Sequence, residues 1–324
     1  MKARYKILVL IAVGLLLVLA ALSIGVKVIM PCDMIDIFAG KSGGVDYAIL
    51  VKLRLPRVLL ALVIGASLAV SGAVFQSVLK NPLADPYIIG VSGGAALGAT
   101  AGIVLSAGPF AVVVAAFAGS IAAITTVYLL SKRMLLGSTA LILSGIALGF
   151  ILSSAVLLIY ALSRSDQIHR ALLWLMGDLS GARYELLNAL GVVSLLLILT
   201  VMVFHKHLDI ISMGHRFSRN LGVTEGNIRL LFWIASLLAA ISVSLAGVIG
   251  FVGLIVPHLM RNIFGPGHRR LVPVSAVGGA LFLMVSDTIG RSLAPPFEIP
   301  VGIITGFLGG AFFLLHMLRR EDNP

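Results

Sequence analysis

Apolar runs of about 20 residues recur along the whole chain, and no other feature limits its fold as much. At a rise of about 1.5 Å per residue, a helix of that length crosses a hydrocarbon core of about 30 Å. Only 11% of the 324 residues are charged and 59% are hydrophobic, whereas soluble domains carry roughly 25% charged residues. In lipid every backbone N–H and C=O must find a partner inside the protein, which leaves helices or a closed barrel. The short alternating runs of a barrel are absent. The expected fold class is therefore all-α, a polytopic membrane protein forming a single transmembrane domain over residues 1–324.

The first run, 7–26, follows Lys2, Arg4 and Lys6. It is long for a signal-peptide core and many runs follow it, so it reads as a first span with its N-terminus inside. Further spans are expected at about 55–79, 88–106, 110–131, 138–162, 186–204, 229–250, 255–265, 271–292 and 300–318. An outer segment, about 27–53, holds Cys32, Asp33, Asp36, Lys41 and Asp46. Cys32 is the only cysteine, so no internal disulfide can form.

Ten spans place both termini on the cytoplasmic side of a plasma (inner) membrane, and the charges agree. The inner segments hold 15 of the 24 basic residues and 5 of the 13 acidic ones, while the outer side is nearly neutral. This is the positive-inside bias. It also accounts for the net charge of +11, so nucleic acid is not implied as a partner.

The chain echoes itself. The run SGAV at 71–74 precedes Asn81-Pro82, and AGVI at 246–249 precedes Val256-Pro257, with ten residues from Gly to Pro each time. Val91-Ser92-Gly93-Gly94 is echoed by Val274-Ser275 and Gly278-Gly279. Copies separated by five spans run in opposite directions, so spans 2–5 and 7–10 read as an inverted repeat, a plan that suits alternating access.

Several residues carry candidate chemistry. Gly90, Gly94, Gly98 and Gly102, and later Gly302, Gly306 and Gly310, recur every four residues and point to close helix packing. Arg54 and Arg57 share a helical face at an outer mouth, and Arg291 lies at another outer end. They are either solvated or lipid-facing charges, or a dock for the carboxylates of an external protein. The polar stretch 205–229 is too polar to span and reads as one or two short cytoplasmic helices, with Leu221-Gly222-Val223-Thr224 ending one and capping the next. Gly40-Lys41-Ser42 looks like the end of a P-loop, but Ile35 stands where the first glycine belongs. Ser92 in Gly90-Val91-Ser92-Gly93, with His258 or His316 as base, would suit an intramembrane serine protease, although packing explains it better. His205, His207 and Asp209 read as a solvated cluster rather than a metal site. Intramembrane acids are scarce, Asp287 above all, so ion coupling is less favoured than energy supplied by a partner.

Eight stretches in order carry a family resemblance: RLPR (54–57), SGAVFQ (71–76), NPLADP (81–86), GVSGGAALGA (90–99), WLMGDLSG (174–181), LGV (221–223), GFVGLIVPHLMR (250–261) and EIPVGIITGFLGG (298–310). Together they resemble the iron-siderophore, haem and cobalamin permeases, the membrane subunits of type II ABC importers. The resemblance implies ten helices, a homodimer or close heterodimer, two cytoplasmic ATPase subunits that bind ATP-Mg, and an extracytoplasmic substrate-binding protein. The chain itself would hold no cofactor or metal and catalyse nothing. The resemblance further implies docking of the binding protein at Arg54, Arg57 and Arg291, and an inner gate at Asn81, Leu83, Ser138 and Thr139. ATPase coupling would fall at about 212–227, through Arg216, Ser218, Leu221 and Gly222. The family often has Ala where this chain has Ser218. The expected cargo is a metal chelate, iron-siderophore first, with cobalamin, haem and molybdate open.

Overall fold

A computed structural model describes the backbone of residues 2–321 apart from 42, 135–136, 215–217 and 219. The described residues contain helices and no strand beyond one isolated bridge. The helices are α1 (Lys2–Ser23), α2 (Pro31–Phe38), α3 (Val45–Val78), α4 (Val91–Val104), α5 (Pro109–Met134), α6 (Gly137–Ala161) and α7 (Ser165–Leu175). They continue with α8 (Tyr184–Val203), α9 (His205–Met213), α10 (Glu225–Ala246), α11 (Val252–Phe264), α12 (His268–Leu293) and α13 (Val301–Glu321). Seven of them are long and apolar enough to cross a membrane: α1, α3, α5, α6, α8, α10 and α12. α4, α11 and part of α13 are shorter apolar helices. Each expected span thus meets an apolar helix.

The outer segment is more ordered than its composition suggests. It contains α2, which buries Met34 and Ile37, and the first turns of α3. α3 starts at Val45 and passes through a π-helical stretch, Ala48–Arg54, before its regular part. That stretch turns Leu50 and Arg54 inward.

α3 is the axis of the bundle, packed by α1, α8, α10, α11 and α12. Glycine makes the closest of these approaches possible. A Cβ on Gly65 would overlap the Gly279 carbonyl of α12, a Cβ on Gly279 would overlap that of Gly65, and Gly72 meets the Gly253 carbonyl of α11 in the same way. α4 and α5 form a second such seam, with Gly94 against Gly119 and Gly98 against Ala115. Gly302, at the start of α13, lies against the Met176 carbonyl.

Three of the expected packing glycines make no such close contact among the described residues. Gly90, with φ of 84°, is the left-handed link between a 3-10 turn (Pro86–Ile89) and α4. Gly306 and Gly310 meet no neighbour among the described residues, because that face of α13 looks away from the bundle. The ten-residue echo does not mark equivalent places either. Gly72 lies inside α3 at a helix contact, whereas Gly247, with φ of 71°, ends α10. Pro82 follows α3 in a loop, whereas Pro257 lies within α11.

Replacing Gly72 with Val should abolish folding or cost at least about 3 kcal/mol, since two backbones would have to separate. Gly43→Ala, in open space, should melt like the parent. Thermal unfolding in detergent, followed by size-exclusion chromatography, measures both.

Candidate functional site

The polar groups gather at the two ends of α3. At one end, Arg54, Arg57 and Arg291 lie close enough for their charges to interact. All three are buried, with 6%, 9% and 6% of their surface exposed. Burial disagrees with the first of the two readings, solvated or lipid-facing charges. Arg54 Nη1 donates to the carbonyls of Leu22 at 2.8 Å and Ser23 at 2.9 Å, and its Nη2 to that of Lys27. Arg291 Nη2 donates to the Ala21 carbonyl. Both side chains thus satisfy carbonyls that the end of α1 leaves without helical partners.

Arg57 makes a different set of contacts. Its Nε lies 3.0 Å from both carboxylate oxygens of Asp287, and its Nη2 lies 2.9 Å from Oδ1. Nη1 donates to Glu298 Oε2 at 2.6 Å. Asp287, the scarce intramembrane acid, is 2% exposed and committed to this pair. Charges removed from water need such partners, since an unpaired one would cost several kcal/mol.

At the other end, α3 gives way to a compact loop. Lys80 takes a φ of 52°, and Asn81 Oδ1 accepts the Leu83 N–H at 2.9 Å, closing an Asx turn. Asp85 Oδ1 accepts the Tyr87 N–H at 2.8 Å and caps the 3-10 turn. Burial pushes the Asp85 carboxyl up to about 6, against the opposing hydrogen bond from Tyr87. Leu83 is half exposed and lines an apolar recess with Leu254 and His258 of α11 and Phe312 of α13. Thr139 is exposed at the start of α6 and is not among the recess residues. The Ser138 side chain lies outside the described residues.

Sequence reasoning passed over two ties near this loop. Gln76 donates to the Leu254 carbonyl at 3.1 Å and accepts from Arg261 at 3.1 Å, fastening α3 to α11. Asp209 of α9 accepts from both the backbone N–H and Nδ1 of His268, at 2.8 and 2.7 Å. His268 Nε2 in turn lies 2.7 Å from Ser77 Oγ. Asp209, part exposed, is thus tied to His268, and no group of three metal-ligating side chains occurs among the described residues. Distance in sequence hid both ties, because their members are 177 or more and 59 or more residues apart.

The described part of the polar stretch ends one helix and caps the next, as its pattern suggests. Val223 N–H bonds to the Ser218 carbonyl at 2.9 Å, and Gly222 takes a φ of 82°, the geometry of a Schellman helix end. Thr224 Oγ1 then accepts from Asn227 N–H at 3.3 Å to cap α10. Leu221 is exposed, Ser218 and Val223 are buried, and Arg216 lies outside the described residues. Ser92 opens α4, while His258 lines the recess and the His316 side chain lies outside the described residues.

The FecCD transport family matches residues 10–319. The chain belongs to that family. It is 43% identical to the cobalamin import system permease BtuC of Halobacterium salinarum, over 83% of this chain and 73% of that one. It is 38% identical to the hemin transport system permease HmuU of Yersinia pestis, over 84% of each. The Fe(3+)-citrate import system permease YfmE of Bacillus subtilis is 34% identical over 99% of this chain and 97% of its own. The solved structure of a metal-chelate type ABC transporter in an inward-facing conformation aligns with a TM-score of 0.85 and 28% identity, over 98% of this chain and 99% of its own. This FecCD chain is accordingly a permease subunit of a type II ABC importer.

In this permease Arg57→Gln alone leaves Asp287 buried without its counter-charge and should cost about 3–5 kcal/mol. Arg57→Gln with Asp287→Asn removes both charges and should recover most of that loss. Thermal melts of the three forms in detergent decide it.

Proposed function

We propose that the chain pairs with a second copy to form the translocation path of an ATP-driven importer of a metal chelate, with an iron-siderophore as the first cargo to test. The match to the FecCD family across residues 10–319 carries this reading. Two ATPase subunits binding ATP-Mg would sit against the Ser218, Leu221 and Gly222 turn on the cytoplasmic side, where both termini also lie. An extracytoplasmic binding protein would deliver cargo at the arginine end, docking its carboxylates near Arg54, Arg57 and Arg291. Asn81 and Leu83, with Ser138 and Thr139, would close the inner end of the path, and the apolar recess around Leu83 is suited to a gate that carries cargo without holding it. ATP binding would move the coupling turn, and α6 and α13 of the two copies would open or close the path. Cobalamin is the second reading, favoured by the 43% identity to the Halobacterium permease.

ATP-dependent uptake into proteoliposomes holding the assembled complex, compared for a radiolabelled ferric siderophore, haem and cobalamin, tests the cargo. Accumulation of the siderophore alone is expected, and cobalamin uptake without it would reverse the order.

The coupling turn has its own test. Gly222→Leu forces a side chain into a left-handed residue and should leave ATP hydrolysis running while lowering transport per ATP. Gly222→Asn, which tolerates that conformation, should stay coupled. Equal coupling in both would remove the turn from the ATPase interface.

A further inference from the structure

The three arginines at the outer end differ in what they could offer a partner. Arg54 and Arg291 hold the last carbonyls of α1, and those bonds cannot be given up without leaving the helix end unsatisfied. The Nε and Nη2 edge of Arg57 is held by Asp287, which is nearly inaccessible. Among the bonds that the described residues make to these three side chains, the one from Arg57 Nη1 goes to a half-exposed carboxylate, which can leave. That group is Glu298, whose side chain keeps 49% of its surface in solvent. Glu298 lies in the short connection between α12 and α13, where Ile299 N–H bonds to the Gly290 carbonyl at 3.1 Å.

We propose that Glu298 is an internal latch: its carboxylate occupies Arg57 Nη1 in the resting permease and is displaced by a carboxylate of the binding protein when that protein docks. The inference rests on the docking function proposed for this end. Two carboxylates at one guanidinium edge repel each other, so the incoming one must replace Glu298. The exchange trades one charge-assisted hydrogen bond for another of the same kind. Apparent affinity then falls by the fraction of time that Nη1 is free. A partner without a carboxylate at this point would lose the Glu298 bond and gain nothing, which makes the latch a filter as well as a brake. Release of Glu298 also removes one tie on the connection that leads directly into α13, which Ile299 N–H still holds to Gly290, so docking would be felt near the start of that helix.

The test measures binding of the importer's own extracytoplasmic binding protein to the assembled complex in nanodiscs by surface plasmon resonance. Glu298→Gln should tighten binding by about fivefold, the scale of one part-exposed ion pair. Asp36→Asn, which removes an exposed outer acid remote in sequence from Arg57, should give no comparable gain. The Arg57→Gln with Asp287→Asn form removes both members of the buried pair and leaves Glu298 to solvent. It should bind more weakly, and adding Glu298→Gln to it should change nothing. Unchanged or weaker binding by Glu298→Gln, or an equal gain from Asp36→Asn, overturns the latch while leaving docking in place. Parent-like binding by the Arg57 and Asp287 pair variant overturns docking at Arg57 and the latch together.

Discussion

Backbone lying directly on backbone along α3 is the contact that the rest of the structure depends on. Lipid tails are as apolar as leucine, so spanning helices gain little by hiding apolar side chains from them and must gain by close packing instead. Gly65 against Gly279 and Gly72 against Gly253 bring α12 and α11 onto α3 at distances that no Cβ would permit. With these two seams set, α1, α8 and α10 fill the remaining sides of α3. α4 and α5 repeat the device at Gly94 and Gly119. The exposed apolar side chains on α1 and α8 are what a helix turned toward lipid carries.

Polar chemistry is confined to the ends of this packed unit, and there it serves two purposes. Arg54 and Arg291 act on structure, since they complete the end of α1 from α3 and α12. Arg57 stands between structure and function, with one edge buried against Asp287 and the other shared with half-exposed Glu298. At the opposite end Asn81 shapes its own loop, while Gln76 and Ser77, one turn earlier, reach Arg261 and His268. Through His268 the chain of hydrogen bonds continues to Asp209 on α9. α9, which precedes the Schellman turn at Gly222, is thereby tied to the end of α3 beside the Asn81 loop.

Local pattern made part of this legible. Leu221-Gly222-Val223-Thr224 can be read because a helix end and an N-cap are settled by neighbouring residues. The Gly94 and Gly98 spacing can be read because one helix face repeats every four residues. The Gly306 and Gly310 spacing has the same form and yet meets no neighbour among the described residues. Periodicity states that a face is smooth but does not state what covers it. The echo of Gly72 at Gly247 misled for a related reason: glycine serves a close contact at the first and a reversal of the chain at the second.

Hydropathy, read from the residues alone, established an all-helical membrane protein and the order of its apolar segments, because each depends on transfer of short segments from water to lipid. Ordered motifs added the family. The destinations of the charged side chains were decided by tertiary structure alone. Arg54 and Arg57 are three residues apart on one helix, yet one is held by α1 and the other by Asp287 of α12, 230 residues away. Whether an arginine is displayed or buried depends on which carbonyls and carboxylates the folded chain brings within 3 Å of it, and no local pattern encodes that.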